Sequence, residues 1–249
     1  MLMQAVYRIL INLIILFSPL IIFIRLIKKK EDPKRFKEKF CFFSKSKKKG
    51  KLIWFHGASV GELLSIIPLL EKLEKNNEIK QILITSNTLS SSKIISKFKF
   101  QKVIHQFYPI DTDFFTKKFL NHWKPSSAFF IDSEIWPNMI NNLNKRNIHI
   151  TLLNARITKK TYNKWIKLKN FSKSIFNKID LCLSSNKETV SFLKKLGAKK
   201  IKYFGNLKYS QSENEKIEID SQTIKFISKK TTWCASSTHD SEEKFAGLI

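Results

Sequence analysis

Lys51-Leu52-Ile53-Trp54-Phe55-His56-Gly57-Ala58-Ser59-Val60-Gly61-Glu62 passes from a strand-like apolar run, through a turn of small residues, into a helix-like run, Leu63-Leu64-Ser65-Ile66-Ile67-Pro68-Leu69-Leu70-Glu71-Lys72-Leu73. Small residues at such a turn let backbone approach a ligand closely. A helix that starts there leaves unpaired N–H groups and a partial positive charge, which suit an anion. Two readings of Glu62 stand on spacing alone. Ser59-x-x-Glu62 matches a capping box, a common helix start. Alternatively, Glu62, beside His56 and Ser59, is a general base at the mouth of a strand–loop–helix unit.

Outward from this stretch the pattern repeats. Apolar runs at Leu52–Phe55, Gln81–Thr85, Val103–Phe107, Ala128–Ile131, Ile148–Leu153, Leu181–Leu183 and Ile201–Phe204 alternate with amphipathic segments near 62–75, 88–98, 112–122, 136–146, 161–178 and 187–196. Strands separated by helices of this length predict βαβ units and a parallel sheet covered on both faces. The expected fold is a Rossmann-like α/β domain over 51–210, with ligands at the carboxyl ends of its strands.

Residues 5–27 are mostly apolar, interrupted by Arg8, Asn12 and Pro19. The segment approaches the roughly 20 residues a membrane helix needs. Cations follow it (Arg25, Lys28, Lys29, Lys30, Lys34, Arg35) rather than precede it. That order is a positive-inside pattern, not a cleaved signal peptide, and it puts the bulk of the chain in the cytoplasm. The expected organisation is a membrane anchor over 1–27, a spanning helix or, alternatively, one lying in the interface, then a basic juxtamembrane segment over 28–50 and the α/β domain over 51–210. A linker over 211–230 and the start of a second α/β domain over 231–249 follow. A lone strand and part of a helix cannot bury a core, so that C-terminal domain is expected to be largely missing.

The net charge of +26 over 249 residues favours polyanionic partners. No nucleic-acid motif is recognisable, and the basic run adjoins an apolar segment, so a nucleic-acid partner is set aside. Cys41, Cys182 and Cys234 are odd in number and far apart, and the five His residues lack metal-ligand spacing. Neither a disulfide framework nor a zinc site is expected, and a reducing compartment fits best.

Three more loops project from strand ends. Asp132-Ser133-Glu134-Ile135-Trp136-Pro137-Asn138 carries two carboxylates into a helix start; helix capping is its simpler reading. Asn154-Ala155-Arg156 offers a guanidinium for a phosphate or carboxylate, or a loop ion pair. Gly205-Asn206-Leu207-Lys208 offers an ammonium, against the plain reading of one more solvated Lys.

Taken together and in order, His56–Glu62, Asp132–Asn138, Asn154–Arg156, Gly205–Lys208 and Ala235-Ser236-Ser237-Thr238-His239 resemble the 3-deoxy-D-manno-octulosonic acid (Kdo) transferase family of lipopolysaccharide synthesis. The anchor and its basic flank match as well. The resemblance implies an inverting glycosyltransferase of the two-Rossmann-domain, GT-B type. It implies transfer of Kdo from CMP-Kdo to a lipid A precursor (lipid IVA) at the cytoplasmic face of the inner membrane, with no cofactor and no metal. By the same resemblance Glu62 is the proton acceptor, and Asp132 and Lys208 stabilise the transition state. Substrate-binding positions fall on His56, Ser59, Gly61, Glu134, Asn154, Arg156 and His239.

These residue types suit that chemistry. A sugar hydroxyl needs a base within hydrogen-bond reach. Inversion is one displacement through an oxocarbenium-like transition state, so one carboxylate acts as base and another offsets positive charge. Two departures stand out. Asp132 takes a place where the family usually has Glu, and Ser241 follows Asp240 where the family's Thr-His-x-Gly-Glu-Glu has Gly. The alternative expectation is a non-catalytic, membrane-bound module that binds the lipid A precursor without a donor domain.

Overall fold

The computed structural model describes residues 2–208, 220–229, 231, 238 and 242–244. The chain forms two compact units, Met1–Gln211 and Ser212–Ile249.

The first unit is built on seven strands: β1 (Lys51–His56), β2 (Ile79–Ser86), β3 (Val103–Phe107), β4 (Ser127–Ile131), β5 (His149–Ala155), β6 (Leu181–Ser184) and β7 (Ile201–Tyr203). They form one sheet in the order β3-β2-β1-β4-β5-β6-β7, parallel at every pairing. The chain leaves β1 toward one edge and returns at β4 toward the other. Between β1 and β4, therefore, the connections diverge, and a crevice opens at the strands' carboxyl ends. The loops after β1 and β4 both emerge there.

The sheet is covered on both faces, which is why its strands read as unbroken apolar runs. Along β1, Leu52 and Trp54 join one core cluster with Phe119, Trp123, Phe130 and Leu152. Ile53 and Phe55 join the other with Leu63, Ile66, Leu70 and Ile84. Trp54 is fully buried, and its indole N–H donates to Thr85 Oγ1 at 2.9 Å. Satisfying that donor avoids the desolvation penalty of an orphaned polar group.

The helical segment expected over 62–75 divides into α2 (Val60–Ser65) and α3 (Ile67–Glu74). Pro68 has no N–H to donate back and its ring crowds the carbonyl four residues before it, so the helix restarts with proline near its N-terminus. Then come α4 (Leu89–Ile95), α5 (Asp113–Trp123) and α6 (Pro137–Asn144). The segment expected over 161–178 is α7 (Lys159–Ile166) and α8 (Lys169–Phe176), separated where Leu168 leaves helical geometry at φ −108, ψ 47. The helix expected over 187–196 is α9 (Lys187–Leu196).

Two further elements depart from expectation. The basic stretch 28–50 is not a mere tether. A 3-10 helix (Phe36–Phe40) seats Glu38, 2% exposed, against the sheet, where it accepts from Phe107 N at 2.9 Å and takes both ends of the Arg35 guanidinium at 2.9 Å. Cys41 is buried in the main core. Glu31 and Glu38, buried acidic residues in a largely basic run, mark this docking. In the second unit, α10 (Ser221–Ser228) stands where a linker was expected, because Asp220 caps it by accepting from Gln222 N and Thr223 N at 3.0 and 2.9 Å. The strand expected at 232–235 lies outside the described residues.

The N-terminal apolar segment is a single helix, α1 (Leu2–Ile27), with Pro19 inside it. Its stretch Met3–Ile27 has a mean hydropathy of 2.5 and is long and apolar enough to cross a membrane. It also packs on the domain. Tyr7 donates to Asp111 Oδ2 at 2.7 Å, and Arg8 donates to Asn138 Oδ1 at 3.3 Å and pairs with Asp113 at 3.4 Å.

Candidate active site

The sheet brings four of the sequence motifs to one rim. The turn after β1 delivers His56 through Glu62. Ser59 caps α2, its Oγ accepting from Glu62 N at 3.2 Å. The Glu62 carboxylate folds back over this turn: Oε1 accepts from Ser59 Oγ at 2.8 Å and Oε2 from Ala58 N at 2.8 Å. The capping reading of Ser59-x-x-Glu62 is thus realised, with the carboxylate reaching Ala58 rather than the Ser59 N–H. It does not exclude the base reading, because each carboxylate oxygen keeps a second lone pair.

Electrostatics separate the carboxylates. Burial pushes Glu62 above the usual Glu value, against the Ser59 and Ala58 hydrogen bonds, and the charges of Glu134 and Asp132 push the same way as burial. Burial also raises Asp132, opposed by Asn154, Lys208 and Arg156. Glu134 goes the other way. Burial would raise it, but the hydrogen bond and charge of His56 and the Trp136 N–H outweigh that and hold it below the usual range. The two glutamates of the rim are thus driven in opposite directions.

Glu134 is tied down. His56 Nε2 lies 3.1 Å from Glu134 Oε2, and Trp136 Nε1 donates to the same oxygen at 2.8 Å. His56 is fully buried, stacked on Tyr108 at 3.9 Å between ring centroids. Its Nδ1 lies 3.2 Å from the Thr85 carbonyl oxygen and 3.0 Å from Thr85 Oγ1. His56 therefore orients Glu134 from beneath and does not face the open rim.

Asp132 and Asn154 end adjacent strands, both in left-handed backbone conformation at φ 57 and φ 54. Asn154 Nδ2 donates to Asp132 Oδ1 at 2.7 Å, and Asn154 Oδ1 accepts from Leu207 N at 3.1 Å. That second bond ties the Asn206–Lys208 loop to the β5 end. It brings the Lys208 ammonium alongside Gly61: a Cβ built on Gly61 would sit 3.7 Å from Lys208 Nζ. Ser59, Arg156 and Lys208 are exposed at this rim. Of the ten sequence-derived positions, only His239 lies outside the described residues.

Sequence reasoning missed the supporting shell. Thr85, Tyr108 and Trp136 hold His56 and Glu134. Asp111, 1% exposed, caps α6 from outside the helix, accepting from Asn138 N at 3.0 Å and Met139 N at 2.8 Å, because Trp136 at the N-cap supplies no side-chain acceptor. Burial pushes Asp111 up to about 7 against those bonds and the Tyr7 hydroxyl. The only sequence signals were polar residues inside an apolar segment, Tyr7 and Arg8. Among the described residues no group of three His, Cys, Asp or Glu side chains is placed to hold a metal ion.

A Rossmann-like sheet with carboxylates and cations gathered at its switch point holds them where open α/β sheets bind their ligands. The sequence profile of the 3-deoxy-D-manno-octulosonic-acid transferase (kdotransferase) family matches residues 34–211. The chain belongs to that family. It is 34% identical over 246 residues to a 3-deoxy-D-manno-octulosonic acid transferase of Rickettsia bellii, covering 97% of this chain and 58% of the relative. The same-named proteins of Rickettsia felis (33% identity, 78% of this chain, 42% of the relative) and Haemophilus influenzae (28%, 77% and 46%) are also similar. The chain thus spans between 42% and 58% of the length of these three relatives.

Proposed function

We propose that this chain serves the transfer of Kdo from CMP-Kdo to a lipid A precursor, and that its first unit holds the acceptor and the base. The observation that carries the reading is the divergence of the carboxylates: Glu62 half-buried at the rim and raised, Glu134 lowered and locked by His56 and Trp136.

In this mechanism an acceptor sugar hydroxyl sits against Glu62. Its oxygen attacks the anomeric carbon of Kdo as its proton passes to the Glu62 carboxylate. The anomeric C–O bond to phosphate breaks, and that electron pair leaves with CMP, inverting the centre. Asp132, fixed by Asn154, offsets the positive charge that develops on the ring, and Lys208 offsets the departing phosphate. Arg156, exposed at the rim, favours an anionic substrate group. Gly61 leaves room for close approach. The lipid acceptor places the reaction at the cytoplasmic face of the inner membrane, with α1 and the exposed lysines after it engaging the bilayer.

The test is transfer of radiolabelled Kdo from CMP-Kdo to lipid IVA by the membrane-bound chain. Transfer that depends on Glu62 supports the reading. A chain that binds lipid IVA and transfers nothing instead supports the acceptor-binding module.

A further inference from the structure

Helix α1 is amphipathic in reverse. Its inward positions form an unbroken stripe with helical spacing from one end to the other: Gln4, Tyr7, Ile11, Ile15, Ser18 and Ile22, continuing to Arg25. From Gln4 to Arg25 the stripe climbs 21 residue steps, about 32 Å at 1.5 Å per residue. It collects the helix's polar groups, and Ser18 and Ile22 on it are buried. The outward face is otherwise apolar, with Ile9, Leu13, Leu16, Phe17, Leu20 and Phe23 between 49% and 72% exposed. Asn12 is its one polar side chain.

Both ends are fastened to the same unit. Near the N-terminus, Tyr7 and Arg8 reach Asp111, Asp113 and Asn138. Near the C-terminus, Arg25 and Lys39 share the buried Glu31 carboxylate at 2.6 and 2.5 Å, and Lys39 also reaches the Asn87 carbonyl at 3.4 Å. Crossing a bilayer would pull one end and the middle of α1 away from the domain. It would break these ion pairs and strand Arg8 in hydrocarbon, where an unpaired charge is expensive.

We propose that α1 does not span the membrane but lies in the plane of its interface, polar stripe against the domain and apolar face in lipid, with both ends on the side of the domain. The proposal deepens the membrane placement given under Proposed function and rests on it. Lipid, rather than a second copy of the chain, is the occupant that charge favours. Lys28, Lys29, Lys30 and Lys34 are exposed directly beyond the helix. They complement anionic headgroups, whereas two copies packed through α1 would bring like charges together. An interfacial helix of this kind buries its apolar side by about 5–10 Å. Apolar crevices of about 460 Å³ flank α1, one toward Tyr108–Asp111 and one toward Trp165 and Phe171, and Ile11 and Trp136 line both. Trp136, which donates to Glu134, thus faces both crevices beside α1.

The experiment uses the full chain in bacterial inner-membrane vesicles, in a Cys234→Ser background. Met3→Cys and Lys28→Cys are probed separately with a membrane-impermeant maleimide in right-side-out and inverted vesicles. The proposal expects both sites to react in one and the same orientation. Reaction in opposite orientations overturns the flat helix and leaves the membrane reading standing. Recovery of the protein in the soluble fraction overturns both. Nitroxides at Ile9, Leu16 and Phe23 give a second readout. Equal shallow depths support the proposal, whereas a Leu16 probe deeper by about 10 Å marks a span. Spin–spin broadening at Leu16 without lipid exposure marks a second copy and overturns it.

Discussion

Asn154 holds Asp132: its side-chain amide donates to Asp132 Oδ1 at 2.7 Å, between the residue just past β4 and the next-to-last residue of β5, both of which adopt left-handed backbone. Asn and Asp tolerate that conformation better than longer side chains do, so the pair is a matched solution to one geometric constraint. The same amide group accepts from Leu207 N, so one residue orients a carboxylate and tethers the loop that carries Lys208.

Asn154→Ala removes both bonds. The expected result is a loss of about ten- to a hundredfold in kcat, the scale of a small misplacement of a catalytic group. KM for the acceptor changes little. Steady-state kinetics check it, and an unchanged kcat would show that Asp132 needs no such support.

Ser59→Ala removes the cap of α2 and one hydrogen bond to the Glu62 carboxylate. A lost Ser cap costs about 1 kcal/mol of stability, read by denaturant titration. Because the Ser59 bond lowers Glu62 while burial raises it, its loss sends Glu62 higher still. A base works deprotonated, so the acid limb of the pH–rate profile moves to higher pH. A limb that stays put would argue that Glu62 is not the titrating base.

Gly61→Ala separates fold from ligand. A Cβ there meets only the flexible end of Lys208, at 3.7 Å and beyond, so the protein keeps its stability or gains up to about 1 kcal/mol in helix propensity. Transfer nevertheless falls, because the methyl occupies the space where substrate meets the start of α2. Gly57→Ala is the contrasting case. Its Cβ would lie 3.0 Å from Leu63 and 3.1 Å from Ile131, so thermal stability drops as well. Equal activity in Gly61→Ala and the parent would exclude close approach at Gly61.

His105 makes the protein acid-sensitive. Burial, then the Arg35 and Lys45 charges, push it down to about 3 from the ordinary 6.5. Arg35 can only donate, so the 3.1 Å contact to His105 Nδ1 needs that nitrogen unprotonated, and Nε2 then donates to Ser86 Oγ at 2.8 Å. The unfolded chain takes up the proton first. Stability from this group is complete above about pH 6.5 and is lost as pH falls toward 3, by an amount on the order of a few kcal/mol. Asp111, raised to about 7, acts in the opposite sense and loses stability as pH climbs from about 4 to about 7. Denaturant midpoints of His105→Gln between pH 4 and 7 should fall less steeply toward acid than those of the parent protein.

The strands were legible because both faces of the sheet are buried, so each became an apolar run; Val103–Phe107 matches its expected bounds residue for residue. The division at Ile66 was signalled by Pro68, but that at Leu168 has no breaker beside it in the sequence. The site loops were legible as motifs because each leaves a strand's carboxyl end. Their supports were not. Tyr7 and Asp111 are separated by 104 positions and His56 and Glu134 by 78, and no local pattern encodes such pairings. The basic run misled for the opposite reason. Counting cations hid the Arg35 and Lys39 side chains that pair inward with Glu38 and Glu31.

The most direct test of Glu62 as the base is the rate of Kdo transfer from CMP-Kdo to lipid IVA by the parent chain and by Glu62→Gln, the amide keeping the shape of the carboxylate. The account predicts transfer by the parent chain and a fall of about 10²–10⁴-fold in kcat for the variant, with lipid IVA binding retained. A Glu62→Gln protein that transfers Kdo at the parent rate would contradict it.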